Sequence, residues 1–158
     1  MRSIARFACL LLALATAGDL AAEERDSAAF EGVYLLVQHD GYQRTLSLEP
    51  GGIASQVSDQ EALLGYSGAQ GAWRLTGPER ARVRLIDFSH ETEGGQPLGP
   101  ALIVYDLSFA ELASGKYRKV SGRFAGKQYA AGQNPLNPTE PPVRSFGVAF
   151  QGQRISAE

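Results

Sequence analysis

The chain has 158 residues and a formal net charge of −2, and its single cysteine is Cys9. Its length fits one domain behind a leader. The slight acidic excess argues against nucleic acid as a partner, because phosphate binding relies on clustered lysine and arginine. The chain beyond Cys9 has no thiol, which excludes disulfides, zinc–thiolate sites and a cysteine nucleophile there.

The first 22 residues have the pattern of a signal peptide. Arg2 and Arg6 form a positive amino-terminal region, and residues 7–14 are an unbroken apolar run. Small residues follow, with cleavage expected after Ala17 or Ala22. The apolar run is shorter than the roughly 20 residues that a membrane-spanning helix needs. The sequence therefore predicts an exported protein, periplasmic or secreted, without stable membrane insertion.

Residues 23–30 form a polar lead-in that predicts one helical turn, and residues 31–158 form the folded domain. Alternation of apolar and polar residues between turn signals predicts strands at 32–39, 42–49, 53–58, 71–76, 82–90, 101–109, 117–127 and 144–150. Turn signals such as Asp40-Gly41 and Gly77-Pro78 separate these segments and give mostly short connections.

Three stretches interrupt this rhythm. Residues 59–70 predict one helical turn around Glu61–Leu64, closed by Gly65. The glycine- and proline-rich residues 94–100 predict a loop. Residues 130–142 contain four prolines, which lack the backbone donor that a sheet interior requires, and they form the longest connection.

Eight short strands without an amphipathic helix of three turns exclude βαβ architectures. Closure of such a meander removes the unpaired sheet edges that promote aggregation. The sequence therefore predicts an all-β fold, an eight-stranded antiparallel up-and-down barrel, with a two-sheet β-sandwich as the alternative. Eight strands enclose either a filled core or one small ligand.

Three segments carry a resemblance to known barrels: Gly32-Val33-Tyr34, Gln70-Gly71-Ala72-Trp73 and Ile86-Asp87-Phe88. With the strand rhythm, they make the chain similar to lipocalin-like (calycin-type) and allene-oxide-cyclase-like small barrels of exported bacterial proteins. The resemblance implies a cup that holds a small apolar molecule. For the cyclase-like relatives it implies a cofactor-free isomerisation inside the cup.

Polar side chains that face a barrel interior are candidates for function. Asp87 shares the alternation phase of Val83 and Leu85, so we expect it to point inward, where it is a candidate catalytic carboxylate. Alternatively, it caps a turn or pairs with an arginine. The candidate ligand-binding residues are Trp73, Tyr34, Tyr105, Asp87 and Phe146. The aromatic ones among them could equally fill the core.

Two histidines end strands that run in the same direction. His39 lies beside Asp40 and His90 beside Glu91, so a barrel places both at one rim. Such a pair could bind a metal or act as acid and base, but surface histidines at strand ends are common. The sequence predicts no cofactor and no metal.

The alternation of apolar and charged residues over 80–84 also predicts a charged outer strand face. Arg80, Arg82 and Arg84 share a strand face that we expect to be solvated. Asp106 is expected to point outward, opposite Arg84 or Arg123, and a structural ion pair is its expected role.

Three functions remain compatible with these patterns. The first is a non-enzymatic barrel that binds a small apolar ligand or a partner protein. The second is a cofactor-independent isomerase, cyclase or lyase that uses a carboxylate inside the cup. The third is a structural envelope module whose lumen is closed by Trp73, Tyr105 and Phe146. The nucleophile elbow, the zinc-peptidase motif and the phosphate loop are all missing.

Overall fold

The structure is a computed structural model that describes residues 27–157, so the predicted signal peptide lies outside the described residues. Eight strands form one closed barrel in which each strand pairs with its neighbour in sequence and the last pairs antiparallel with the first. This confirms the predicted up-and-down barrel over the sandwich. The strands are β1 (Gly32–Gln38), β2 (Gln43–Leu48), β3 (Ile53–Ser58), β4 (Ala69–Gly77), β5 (Arg80–His90), β6 (Pro97–Ala113), β7 (Lys116–Gln128) and β8 (Arg144–Arg154).

Alternate side chains of each strand point into the barrel, as the period of two in the sequence predicts. On β6 every second residue from Ile103 to Phe109 is buried, and on β5 the arginines face outward between buried alanine, valine and leucine. The inward apolar side chains form one core. Its largest fully buried members are Tyr34, Tyr105, Leu36, Leu46, Leu48, Leu85, Ile103, Leu107 and Val83.

One end of the barrel is closed by the segment that precedes β1. The Phe30 ring packs edge-on against Phe109 at 4.9 Å, and the Tyr34 hydroxyl donates a 2.7 Å hydrogen bond to the Phe30 carbonyl. The Tyr117 backbone N–H donates to the Ala29 carbonyl at 3.0 Å. Phe30, assigned to the lead-in from the sequence, therefore belongs to the core of the domain.

The opposite end is open and carries four connections, three of which are the longest between the strands. These are the β1–β2 turn, residues 59–68 with the helical turn α1 (Glu61–Leu64), the β5–β6 loop and the proline-rich residues 129–143. Gly65 ends α1 with a φ of 66°, as the sequence predicts. No helix within residues 27–157 is long and apolar enough to cross a membrane.

The prediction of a loop over residues 94–100 is wrong for its second half, because β6 begins at Pro97. Pro97 and Pro100 pair with β5, opposite His90 and Phe88. The ladder with β7 starts only at Ala101, although Pro100 accepts a hydrogen bond from the Tyr129 N–H. The missing proline donors therefore face a side where no ladder bond is required.

Candidate functional site

A cavity of about 280 Å³ occupies the open half of the barrel. Strands contribute most of its walls, and α1 contributes Leu64. The lining residues are Gln38, Asp40, Arg44, Gln56, Gln60, Leu64, Tyr66, Asp87, Ser89, Leu98, Ile103, Phe124, Gln128, Arg144, Phe146, Gly147 and Val148.

The cavity has an apolar wall and a polar wall that come from different strands. Phe124 of β7 with Phe146 and Val148 of β8 supply apolar surface. The Phe146 ring lies directly over Gly126, its cross-strand partner, where a Cβ atom would overlap the ring. The glycine therefore allows the ring to lie against the strand, which leaves space in the lumen.

The polar wall is organised around Arg44 of β2, which is only 6% exposed. Its Nη1 donates to the Tyr105 hydroxyl at 3.0 Å and to Gln56 Oε1 at 3.3 Å. Its Nε donates to the Gln38 side-chain oxygen at 3.0 Å, in the amide orientation that the network requires. The guanidinium lies 4.2 Å from the centre of the Phe124 ring.

All these partners of the Arg44 guanidinium are neutral. The ion pairs within residues 27–157 are Arg82–Asp106 and Lys119–Glu111, both on the outer surface. A buried cation without a counter-ion is costly, because its hydration is lost and no opposite charge replaces it. The cup therefore contains a buried positive charge whose direct contacts are dipoles and an aromatic face. The Asp87 carboxyl group lines the same cavity and interacts with this charge without forming an ion pair with it.

Asp87 of β5 points into the same cavity and is 4% exposed. Burial raises the pKa of Asp87 from its ordinary 3.8 to about 6. A hydrogen bond with the Ala101 backbone and the charge of Arg44 lower this pKa, whereas the charge of Glu61 raises it. The Oδ1 atom of Asp87 has no hydrogen-bond partner. The carboxyl group is thus available to a molecule in the cavity.

Gln56 of β3 provides a second unpartnered polar atom. Its Oε1 accepts hydrogen bonds from Arg44 and from the Tyr105 hydroxyl. Its Nε2, buried in a residue that is 2% exposed, has no acceptor. Burial also raises the pKa of Tyr105 to about 12, so its hydroxyl stays neutral and acts as a donor to Gln56.

The structure brings together only part of the predicted ligand-binding set. Asp87 and Phe146 line the cavity, and Tyr105 lies beneath it, in contact with Arg44. Tyr34 and Trp73 lie in the filled half of the barrel, away from the cavity. There the Trp73 Nε1 donates to the Glu49 carbonyl at 2.9 Å.

At the open rim His39 follows the last residue of β1 and His90 ends β5, beside Asp40 and Glu91. Of these four, only Asp40 lines the cavity. Within the described part of the chain, no three His, Cys, Asp or Glu side chains are placed to hold a metal ion.

Asp106 points outward and lies directly opposite Arg123 in the β6–β7 register, as predicted, but it forms its ion pair with another arginine. It pairs with Arg82, whose Nη2 lies 2.7 Å from Asp106 Oδ1, rather than with Arg84 or Arg123. Arg82 is the residue directly opposite Asp106 in the β5–β6 register.

The sequence analysis did not identify Arg44, Gln38 and Gln56 as inward-facing, although the alternation of inward and outward residues along the strands indicates it. Arg44 is in phase with Leu46 and Leu48, so an inward β2 face includes it. On β3 the apolar residues mislead, because Ile53 and Val57 are more than half exposed while Gln56 is inside. The strand-by-strand search for an apolar inner face therefore overlooked the polar wall.

Comparisons with known proteins identify no relative. No family model, no curated protein and no solved structure matches the chain. The resemblance to calycin-type and allene-oxide-cyclase-like proteins therefore stands on the closed eight-stranded barrel alone.

Proposed function

We propose that this protein binds a small amphipathic molecule in the open half of its barrel. The observation that carries the proposal is the cavity of about 280 Å³ with an apolar wall on β7 and β8 and a polar wall around Arg44. Ligand sites are typically concave and apolar, with a few directed polar groups that fix orientation. The size of the cavity favours a small ligand.

The arrangement favours binding over a purely structural role. A structural barrel gains stability from a filled lumen, as the closed half has. Buried polar atoms without partners, such as Gln56 Nε2 and Asp87 Oδ1, lower stability unless something else uses them. The polar wall also narrows the expected ligand from an apolar molecule to one with a polar end.

Titration with an uncharged fluorescent probe, N-phenyl-1-naphthylamine, tests the proposal. We expect saturable binding with one probe per barrel. Val148→Trp places a large ring in the cavity and should weaken binding at least about tenfold, because the ring takes up the probe's volume. Ala149→Trp is the matched control, since Ala149 is the next residue on β8 and faces outward.

Two results would contradict cup binding. One is the absence of saturable binding to the folded wild-type protein. The other is equal loss of affinity in Val148→Trp and Ala149→Trp, which would indicate that the probe adheres to the outer surface. Circular dichroism of both variants checks that the barrel is intact.

A second candidate function is a cofactor-independent isomerase or cyclase. The observation that favours it is the buried carboxyl group of Asp87, whose Oδ1 atom has no hydrogen-bond partner. Its pKa of about 6 suits a general base that acts near neutral pH. Asp87→Asn discriminates the two functions. A binding protein should retain affinity in this variant, whereas an enzyme should bind its substrate and lose turnover.

We also propose that the protein is exported, because residues 1–22 have the pattern of a signal peptide. Expression of the full chain in a bacterial host, followed by fractionation and amino-terminal sequencing, tests this. The expected result is a mature chain outside the cytoplasm that starts at residue 18 or 23. A full-length cytoplasmic product would contradict it.

A further inference from the structure

We propose, on the basis of the binding function above, that the inner end of the cavity holds the carboxylate of the ligand between Arg44 and Gln56, and that Asp87 takes up one proton from solvent when the carboxylate binds. The site thus recognises small apolar monocarboxylates. Their apolar part lies along the β7–β8 wall.

The inner end has one buried donor without an acceptor, Gln56 Nε2, and one buried cation, Arg44, whose hydrogen-bond acceptors are all neutral. An oxygen anion satisfies both, and a charge-assisted hydrogen bond to arginine is stronger than a neutral one. A cationic or purely donating ligand would leave Gln56 Nε2 without an acceptor and would place no anion beside Arg44.

Asp87 sets the condition under which an anion can enter. When it is ionised, its charge lies in the same cavity and repels a carboxylate. When it is protonated, the same group donates a hydrogen bond to the carboxylate through the oxygen that now lacks a partner. Binding therefore requires one proton, which solvent supplies and which stays on the Asp87 carboxyl.

Other charged and titratable groups around Asp87 come from several elements. Arg44 of β2 favours its ionised form, Glu61 of α1 disfavours it, and Tyr66 and Tyr105 interact with it electrostatically. Asp40 and Arg144 line the cavity with opposite charges nearer the rim. Burial raises the pKa of Asp87 to about 6, so in the free protein this group is mostly ionised at pH 7 but within reach of protonation.

The test compares octanoate with 1-octanol, which has the same chain length without the carboxylate, by calorimetry from pH 6 to pH 8. An ordinary carboxyl group stays ionised over this range. Uptake of one proton predicts that octanoate affinity falls about fivefold from pH 6 to pH 7 and about tenfold from pH 7 to pH 8. The affinity for 1-octanol should stay nearly constant. At pH 6 octanoate should bind at least about tenfold more tightly than 1-octanol.

Two variants assign the effect to the named residues. Arg44→Met should weaken octanoate about 10- to 100-fold and leave 1-octanol within a few-fold. Asp87→Asn should bind octanoate equally well from pH 6 to pH 8, because asparagine does not titrate. The matched controls are Arg84→Met and Asp106→Asn, which alter outward residues on β5 and β6 and should behave as wild type.

The outcomes separate this inference from the proposed function. Binding of the uncharged probe and 1-octanol, with octanoate no tighter than 1-octanol at pH 6, overturns the carboxylate site and leaves cup binding intact. A flat octanoate profile in the wild type, or the wild-type slope in Asp87→Asn, overturns the role of Asp87. Failure of all three compounds to bind contradicts the proposed function itself. If Arg44→Met does not fold, the wild type and Asp87→Asn still decide.

Discussion

The Asp87 carboxyl group is in an environment that favours its neutral form. It sits on the inner face of β5, 4% exposed, with one oxygen unpartnered. Its folded-state pKa of about 6 lies above the ordinary value of 3.8. The folded protein therefore binds this proton more tightly than the unfolded chain does, so the contribution of Asp87 to stability falls as the pH rises from about 4 to about 6 and stays low above that.

The fall of the Asp87 contribution with rising pH gives a stability prediction for Asp87→Asn. Asparagine does not ionise, so the variant escapes the loss that the wild type suffers at higher pH. The free energy of unfolding of the variant relative to wild type should increase by about 2 kcal/mol between pH 4 and pH 7.5. Urea unfolding monitored by the fluorescence of Trp73, the single tryptophan, measures it.

Asp106→Asn serves as the control, because Asp106 is an exposed outer-face carboxylate paired with Arg82. Its stability relative to wild type should not increase between the same two pH values. A pH-independent difference between Asp87→Asn and wild type would show that Asp87 titrates as an ordinary exposed carboxyl group.

At the scale of the strand, β7 approaches its neighbours closely at its glycines. A Cβ atom at Gly122 would overlap the Asp106 carbonyl oxygen on β6, which is backbone and cannot move without distorting the ladder. Gly77 on β4 differs, because the nearest atom to an added Cβ is 3.8 Å away. The two glycines therefore form a matched pair for substitution.

Gly122→Ala should lower the free energy of unfolding by about 1–3 kcal/mol, since strain from the added methyl group must move the β6 backbone. Gly77→Ala should change it by less than about 1 kcal/mol, because the methyl group meets the Arg80 side chain at an ordinary contact distance and alanine restricts the unfolded chain. Thermal and urea unfolding of both variants measure the difference. Equal stability of the two variants would indicate that the β6–β7 spacing is wider than described.

The elements themselves were largely predictable from sequence, for a physical reason. Alternation is strong on β6 and β8, where Tyr105, Phe109 and Phe150 share a buried face, and the strand positions there are confirmed. The α1 turn with Gly65 is confirmed as well. The start of β6 was not predictable, because Pro97 and Pro100 normally exclude a strand and only the late onset of the β7 ladder permits them.

The site was predictable only in part. Asp87 could be placed inside because Val83 and Leu85 fix the phase of β5. Arg44 and Gln56 are missed when burial is equated with apolarity, since the barrel buries polar residues on three neighbouring strands at its open end. The contacts between these residues depend on the registers of the β1–β2 and β2–β3 pairs. The residue pattern of one strand does not give its register with the next strand.

The two ends of the barrel differ in how the interior is filled. The half that contains the amino-terminal segment is packed with aromatic rings, including Phe30, Tyr34, Phe109 and Tyr117. The other half holds the cavity, and its buried polar residues include Arg44, Gln56 and Asp87. The packed half stabilises the fold, which allows the open half to keep unpartnered polar atoms.

The most direct test of a ligand site in the open half is the location of bound octanoate. Backbone amide chemical shifts of the isotope-labelled protein at pH 6 measure it. Shifts confined to inward residues of the open half, such as Gln38, Arg44, Gln56 and Asp87, are the predicted result, with Leu48 and Phe109 unchanged. Saturable shifts that centre on the closed half or on outward residues, or no shifts at saturating octanoate, would contradict a ligand site in the open half.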